Sequence, residues 1–319
     1  MRSIYQSRIA VLIPCRDEER SIAETVIACR VALEGVGDFD IYVIDNGSTD
    51  NTAMIAETAG AKVIRVDEHG KGVAIMRAFR LIDAEIYAML DGDSTYKIDE
   101  IAPFAKPLLH TMIETVENGE ADMVIGNRLG SYAESGSKPF HYAGNLMFRW
   151  AVKSLFHKDI KDPLSGLRAI SRDFARSFPG NAHGFEIEME MNIHAGEYGF
   201  AVREYNVRYL PRPKGSNSKL STFKDGARIM AFMLAAVHDK RPVLFYGTLA
   251  ALIAAPSLWF FLDGAREYLE TGTMSRFPRF IVGSVGLLFS ALFVSIGAVL
   301  SSVNRHAREI KRGLLAAMG

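Results

Sequence analysis

The sequence predicts an α/β domain with a mostly parallel sheet, followed by two helices that cross a membrane. Short apolar runs alternate with helix-periodic segments over residues 8–90, which is typical of parallel strands joined by right-handed crossover helices. Two uncharged segments occupy residues 242–262 and 280–303. Each is long enough to cross a hydrocarbon core of about 30 Å as a helix. The alternative, a pair of buried helices in a soluble protein, requires polar faces that these segments lack.

The first domain is predicted element by element from these patterns. Strands are predicted at residues 8–14, 39–44, 62–66 and 86–90. Helices are predicted at residues 21–33 and 73–82, and another helix follows the second strand and ends at residue 59. A polar cluster follows most of the strands, at the edge where parallel sheets bind ligands. We therefore expect the functional site at the carboxyl ends of the strands.

The chain is expected to divide into four parts. They are an α/β domain at 1–218, an amphipathic juxtamembrane segment at 219–241, a hairpin at 242–303 and a basic tail at 304–319. The pattern of the juxtamembrane segment predicts either a helix on the membrane surface or an ordinary helix packed on the sheet. Lysine and arginine flank both ends of the hairpin, whereas its connecting loop balances three arginines against three acids. The positive-inside rule then predicts a multi-pass inner-membrane protein with a cytoplasmic α/β domain.

Composition excludes two other classes of protein. The 37 basic and 37 acidic residues give no net charge, so nothing indicates a nucleic-acid partner. The two cysteines, Cys15 and Cys29, are too few for a disulfide framework and indicate a reducing compartment.

The strongest chemical signal is the pair Asp91 and Asp93 directly after the fourth predicted strand. Two carboxylates one residue apart at a strand end can share Mg²⁺ or Mn²⁺ and leave positions open for phosphate oxygens. A solvated turn is the alternative, because this short pattern is common. The position after a buried strand favours the metal.

Two further clusters are weaker signals. Asp45 and Asn46 follow the second strand, where they can hydrogen-bond a base or ribose, or simply form a turn that caps the next helix. The glycine-rich turn at 69–72 carries Lys71 into a helix, which suits an anion. It lacks the spacing of a P-loop.

Taken in order, the motifs resemble those of a known family. The sequence is similar to family 2 glycosyltransferases with the GT-A fold, and within them to the polyprenyl-phosphate branch of dolichyl-phosphate-mannose synthase and GtrB-like enzymes. The motifs that carry the resemblance are IPCRDEE (13–19), VIDNGSTDNT (43–52), HGKG (69–72), LDGD (90–93), DMVIGNR (122–128), DPLSGLRAISR (162–172), GFEIEMEM (184–191) and PRPKGSNSKL (211–220).

The resemblance implies roles for individual residues. The expected catalytic residues are Asp93, Arg128, Asp162 and Arg168, the last two near the acceptor phosphate. The expected donor-binding residues are Pro14, Asp17, Glu19, Asp45, Asn46, Lys71, Asp91, Gly92 and, in a mobile lid, Lys219. Asp91 and Asp93 are the expected metal ligands. The sequence departs from the family pattern in having Cys15 for a tyrosine, Asn46 for a second aspartate, and no glutamine after the metal motif.

The expected reaction is a metal-dependent, inverting transfer of a hexose from a UDP- or GDP-sugar to undecaprenyl or dolichyl phosphate at the membrane. A lipid phosphate has a second pKa near 6 and is already nucleophilic at neutral pH, so no strong base is required. The segment 203–241 has nine basic residues against three acids, which attracts lipid phosphate and anionic headgroups. Two alternatives are a transferase to a neutral lipid such as diacylglycerol, which would need a base, and a non-catalytic nucleotide-binding scaffold. Two helices per chain give little membrane area for handling the acceptor, which favours a homo-oligomer.

Other residues have weaker signals. One of the acids Glu186, Glu188 and Glu190, with Glu186 or Glu190 preferred, is expected to orient an arginine or the sugar, and the others to be solvated. His183 and His194 lack metal spacing and are expected to be structural or exposed. Residues 131–141 are expected to influence the choice of sugar.

Overall fold

The structure is a computed structural model in which the contacts divide the chain into two compact units, Met1–Ile229 and Met230–Gly319. It describes residues 5–101, 106–131, 146, 148–149, 152–153, 158–212 and 222–318.

Within these residues the strands are β1 (Tyr5–Cys15), β2 (Phe39–Asp45), β3 (Lys62–Arg65), β4 (Ile82–Met89), β5 (Met123–Asn127), β6 (Arg168–Ser171) and β7 (Val202–Asn206). The helices are α1 (Ile22–Ala32), α2 (Thr52–Thr58), α3 (Lys71–Leu81), α4 (Leu108–Glu117), α5 (Arg172–Ser177), α6 (Ile187–Tyr198), α7 (Thr222–Lys240), α8 (Pro242–Thr271) and α9 (Phe277–Met318).

The strands form one sheet in the order β3-β2-β1-β4-β6-β5-β7. β1 lies parallel to β2 and β4, β2 is parallel to β3, and β5 is parallel to β7. β6 runs antiparallel to both of its neighbours. The mostly parallel α/β fold predicted from the sequence is confirmed.

Both faces of the central strands are buried. Ile9, Val11 and Ile13 of β1 pack into a core shared with α1 and α4, while the alternate residues Ala10 and Leu12 are equally inaccessible on the other face. A strand covered on both sides is continuously apolar, which explains why the segment was recognisable in the sequence.

The first and fourth strands begin earlier than predicted. The sequence placed their starts at residues 8 and 86, but Tyr5 of β1 pairs with Ile82 of β4. Each extension gives the other a hydrogen-bonding partner, and such a long-range pairing leaves no local sequence signal. α3 accordingly ends at Leu81.

In the second unit, α8 and α9 contact each other closely through small residues. Ser290 Oγ donates to the carbonyl oxygen of Ala250 at 3.0 Å, and a Cβ on Gly286 would collide with the Ser257 hydroxyl. Both helices are long and apolar enough to cross a membrane, and their most apolar windows are only 11% and 17% buried. This exposure differs from that of the core helices of a soluble protein.

Both helices extend beyond the predicted spans. α8 continues past residue 262 to Thr271, and α9 continues past residue 303 to Met318. The residues expected to form a separate basic tail therefore prolong α9.

Candidate active site

Carboxylates in the loop after β1 accept hydrogen bonds from backbone N–H groups in the loop after β2. Asp17, in a left-handed conformation with φ 50°, accepts from the backbone N of Thr49 at 2.7 Å. Glu19 accepts from the backbone N of Asn51 at 3.3 Å. Both carboxylates expected to contact a nucleotide thus also fix the shape of the loop after β2.

Asp45 and Asn46 hold the end of β2 in different ways. Asp45 accepts from the backbone N of Ser48 at 3.0 Å. The buried amide of Asn46 donates to the carbonyl oxygen of Glu68 at 2.7 Å and accepts from Gly70 N at 2.6 Å. Asn46 therefore positions the loop before α3.

The glycine-rich turn serves close packing. The N–H groups of Gly72 and Val73 donate to the carbonyl oxygen of His183 at 3.0 and 3.4 Å. A Cβ on Gly72 would collide with the carbonyl oxygen of Ala182. In this structure a protein carbonyl therefore accepts the hydrogen bonds of both N–H groups. Lys71 is the part of the turn that reaches the metal motif.

Lys71 bridges two carboxylates. Its Nζ lies 2.5 Å from Asp91 Oδ1 and 2.5 Å from Glu188 Oε1. Burial alone would lower the pKa of Lys71, but the charges of Asp91 and Glu188 outweigh it and raise that pKa above its usual value. The same contact acts on Asp91, where burial raises the pKa and the Lys71 charge more than compensates, so the pKa lies below its ordinary range.

Glu188 was missed in the sequence, where Glu186 and Glu190 were preferred and the remaining acids were expected to be solvated. All three side chains are buried. Glu190 accepts from the backbone N of Ala182 at 2.8 Å, and Glu186 lies 3.5 Å from Arg228 Nε. Glu188 alone among these three contacts Lys71.

Arg212 makes a second bridge. Its Nη2 lies 2.6 Å from Asp93 Oδ2, and its Nη1 lies 3.3 Å from Glu18 Oε1. Asp93 Oδ1 accepts from Thr95 Oγ1 at 2.6 Å. Burial first, and then the neighbouring charge of Asp91, raise the pKa of Asp93 above its ordinary value.

Arg128 and Asp162 form a bidentate pair beside this cluster. Arg128 Nε and Nη2 each donate to one oxygen of Asp162 at 2.8 Å, and the backbone N of Arg128 donates to the same carboxylate at 3.0 Å. Asp162 is fully buried. The guanidinium also lies 5.4 Å from the ring centroid of Tyr209.

Arg168 lies in the interior and contacts protein groups. It is fully buried, and it donates to the carbonyl oxygens of Ser165 and Pro163, each at 3.0 Å, and to Asn192 Oδ1 at 2.8 Å. Burial lowers the pKa of Arg168 to about 10. These contacts connect Arg168 to residues 163–165, directly after Asp162.

Comparison with known proteins assigns the family. The sequence profile described as glycosyl transferase family 2 matches residues 10–177, slightly more than half of the chain. The chain belongs to glycosyl transferase family 2. This confirms the resemblance drawn from the motifs, and the protein is a glycosyltransferase.

Relatives and solved structures agree with this membership. Glycosyltransferase AglJ of Haloferax volcanii is 28% identical over 306 residues, which cover 95% of this chain and 96% of AglJ. A dolichyl-phosphate hexose transferase from the same organism is 26% identical over 69% of this chain and 90% of its own length. A dolichol-phosphate mannosyltransferase of Pyrococcus furiosus is 28% identical over 61% of this chain and 54% of its own length.

The fold is shared with glucosyl-3-phosphoglycerate synthase of Mycobacterium tuberculosis in complex with Mn²⁺, UDP and glucosyl-3-phosphoglycerate. That structure is 24% identical and has a TM-score of 0.53, over 72% of this chain and 79% of the synthase.

The donor atoms of the glycosyltransferase fit a hard divalent cation. Asp91 and Asp93 provide carboxylate oxygens, the ligands that Mg²⁺ and Mn²⁺ prefer, and their mutual repulsion contributes to the raised pKa of Asp93. A cation shared by both would relieve that repulsion. No group of three or more His, Cys, Asp or Glu suited to a metal occurs among the described residues.

The remaining expected residues are scaffold positions or lie outside the described residues. Pro14 is buried in β1 opposite Ile44, and the carbonyl oxygen of Gly92 accepts from Ser21 Oγ at 2.8 Å. His194 is buried and lies 2.9 Å from Ser177 Oγ, whereas His183 is exposed. Lys219 lies outside the described residues, as does the segment 132–141 expected to influence the choice of sugar.

Proposed function

We propose that this glycosyltransferase transfers a hexose from a UDP- or GDP-sugar to a polyprenyl phosphate, with inversion, at the cytoplasmic face of a cell membrane. The observation that carries the proposal is the cluster at the end of β4. There, Asp91 and Asp93 lie within hydrogen-bonding distance of Lys71 and Arg212. A nucleotide diphosphate needs this combination of metal-binding carboxylates and nearby cations.

In this proposal Asp91 and Asp93 hold Mg²⁺ or Mn²⁺. The ion, when bound, neutralises charge that develops on the leaving diphosphate. Lys71 adds a positive charge that Glu188 keeps beside Asp91. The loops fixed by Asp17, Glu19 and Asp45 are the proposed contact for the nucleoside.

Arg128 and Asp162 are proposed to face the acceptor. Asp162 fixes the guanidinium of Arg128 through two hydrogen bonds, and a guanidinium held in this way is preorganised for a phosphate. A phosphate dianion attacks the anomeric carbon without giving up a proton. Its placement in line with the leaving group is then the main requirement.

The lipid acceptor is supported by two further observations. Relatives in this comparison are named for transfer to dolichyl phosphate. Two exposed apolar helices follow the glycosyltransferase domain, which suits a multi-pass protein of the inner membrane that meets its acceptor in the bilayer.

The test is product mass spectrometry with the full chain in detergent. Reactions contain Mn²⁺, a panel of UDP- and GDP-sugars, and either undecaprenyl phosphate or diacylglycerol. We expect a hexosyl polyprenyl phosphate from one donor, and none from Asp93→Ala. Product on diacylglycerol alone would overturn the proposed acceptor, and nucleotide binding without product from any donor would favour a scaffold.

A further inference from the structure

Each carboxylate of the metal motif is paired with a cation that a distant glutamate also contacts. Lys71 lies between Asp91 and Glu188, and Arg212 lies between Asp93 and Glu18. The cluster thus holds four carboxylates and two cations, and each cation is shared between two carboxylates. A divalent cation that enters it has to change at least one of these pairs.

The pair at Asp93 has the more exposed cation, since the Arg212 side chain is 27% exposed and that of Lys71 is 11% exposed. Asp93 is 2% exposed, and both of its oxygens accept hydrogen bonds or ion pairs. Oδ1 accepts from the hydroxyl and the backbone N of Thr95, two residues along the chain. Oδ2 pairs with Arg212 Nη2 at 2.6 Å.

The two partners of Asp93 differ in their freedom to move. Thr95 is buried and its backbone is fixed, since Leu210 N donates to its carbonyl oxygen at 2.8 Å. Arg212 is a long side chain with 27% of its surface exposed. A change at Oδ2 therefore involves Arg212, which also contacts Glu18, rather than the fixed Thr95.

We propose that Arg212 is an internal competitor of the divalent metal, so that the metal and the guanidinium exclude each other at Asp93 Oδ2. The inference rests on the proposed function only in taking Asp93 as a metal ligand. Arg212 is then a positioning residue. It lowers the affinity of Asp93 for the metal until its guanidinium pairs with another anion.

The nucleotide diphosphate supplies that anion. Once a diphosphate is bound, Arg212 can exchange Asp93 for phosphate oxygens without leaving a charge unpaired. Metal and nucleotide should therefore bind with positive coupling, and the coupling should depend on Arg212.

The experiment is a Mn²⁺ titration followed by the EPR signal of free Mn²⁺. The full chain is placed in nanodiscs of zwitterionic phosphatidylcholine, which adds little metal binding of its own, and titrated with and without saturating UDP. The variants are R212Q and R212K, with D93A as the control for the metal site and R208Q as the matched control. Arg208 forms a surface ion pair with Glu100 at 3.2 Å and is half exposed.

Without UDP, we expect R212Q to bind Mn²⁺ about threefold or more tightly than the wild type, because a partly exposed ion pair no longer opposes the metal. R212K, which keeps the charge but not the forked geometry, should lie between them. R208Q should match the wild type. With UDP, the advantage of R212Q should shrink or reverse.

Equal or weaker Mn²⁺ binding by R212Q without UDP would overturn the proposal, as would an equal gain in R208Q. If thermal melting shows that R212Q is unfolded, the Mn²⁺ affinity of R212K is compared with that of the wild type, and equal or weaker binding by R212K would overturn the proposal. Unchanged binding in D93A would refute the metal site and the inference with it. The acceptor assignment would be unaffected, since product mass spectrometry tests it separately.

Discussion

Arg128 and Asp162 are joined through both donors of one guanidinium edge and both oxygens of one carboxylate, each at 2.8 Å. Asp162 is completely buried, while the Arg128 side chain keeps 12% of its surface exposed. The pair is therefore mostly inside the protein, and only a small part of the Arg128 side chain is accessible to solvent. Asp162 fixes the position of the guanidinium.

Replacement of Arg128 by glutamine should leave the buried carboxylate of Asp162 without its strongest partner. Breaking one side of a buried pair typically costs about 3–5 kcal/mol, so the variant should melt at a clearly lower temperature. Arg128→Lys should retain more stability than Arg128→Gln, yet lose most activity with a lipid phosphate because the bidentate geometry is gone. Thermal melting and initial rates measured side by side check this. Equal activity of Arg128→Lys and the wild type would contradict the proposed acceptor contact.

Glu188→Gln should reduce kcat/KM by about ten- to a hundredfold, the usual range for residues that orient a metal-site group. The reason is that Lys71 would lose one of its two anionic partners. Glu114→Gln is the matched control, because Glu114 pairs with Lys106 at the surface, with 40% of its side chain exposed. A control that loses as much activity as Glu188→Gln would refute a specific role for Glu188.

Gly72→Ala should destabilise the protein by about 1–3 kcal/mol, the typical cost of forcing extra volume into a packed region. The added methyl would collide with the backbone of Ala182, whereas the same change at Gly226 meets open space. Thermal melting of Gly72→Ala and Gly226→Ala provides the comparison. The contact between the glycine-rich turn and residue 182 would be disproved by identical melting temperatures.

Asp40 should give the stability of the first unit a pH dependence. Burial alone would raise the pKa of Asp40, but hydrogen bonds from Lys62 and Ser7 hold it below its ordinary value. A carboxyl with a depressed folded-state pKa stabilises the fold above its unfolded pKa of about 3.9, and this stability is lost as the pH falls through the folded value. The melting-temperature gap between wild type and Asp40→Asn should be full at pH 6 and close below about pH 4. A gap that is constant from pH 6 to pH 3 would contradict the prediction, and exposed Glu34→Gln should show no gap.

Gly286→Leu should separate α8 from α9. A side chain at Gly286 collides with Ser257, whereas Gly247 on α8 has no atom within 4 Å of an added Cβ. Close helix approach at small residues is a main source of association in an apolar solvent. Intramolecular cysteine crosslinking across the hairpin should therefore fall in Gly286→Leu and persist in Gly247→Leu. Persistence in both would mean that the helices do not pack as described.

The sequence predicted the features that depend on local pattern. The apolar run through Ile9 and Ile13 predicted a strand of the parallel sheet, and Asp91 and Asp93 indicated the strand end at which the candidate site was expected. Each of these two signals is contained in a few consecutive residues.

Features that depend on distant partners were missed. Of the three neighbouring acids Glu186, Glu188 and Glu190, Glu188 is the one that contacts Lys71, and alternation along the chain cannot reveal which of them does so. Arg212 was visible as one of nine basic residues but not as the partner of Asp93. Arg168, which the motif places near the acceptor phosphate, is fully buried through contacts with Pro163, Ser165 and Asn192 that no local pattern reveals.

The two cation bridges also set an order of events during synthesis. Lys71 and Glu188 are separated by 117 positions, and Arg212 and Glu18 by 194. Asp91 and Asp93 follow Lys71 along the chain but leave the ribosome long before Glu188 and Arg212. A nascent chain that has made the sheet as far as β4 therefore carries Asp93 without the cation that pairs with it in the folded protein. That cation, Arg212, emerges only shortly before the two apolar helices.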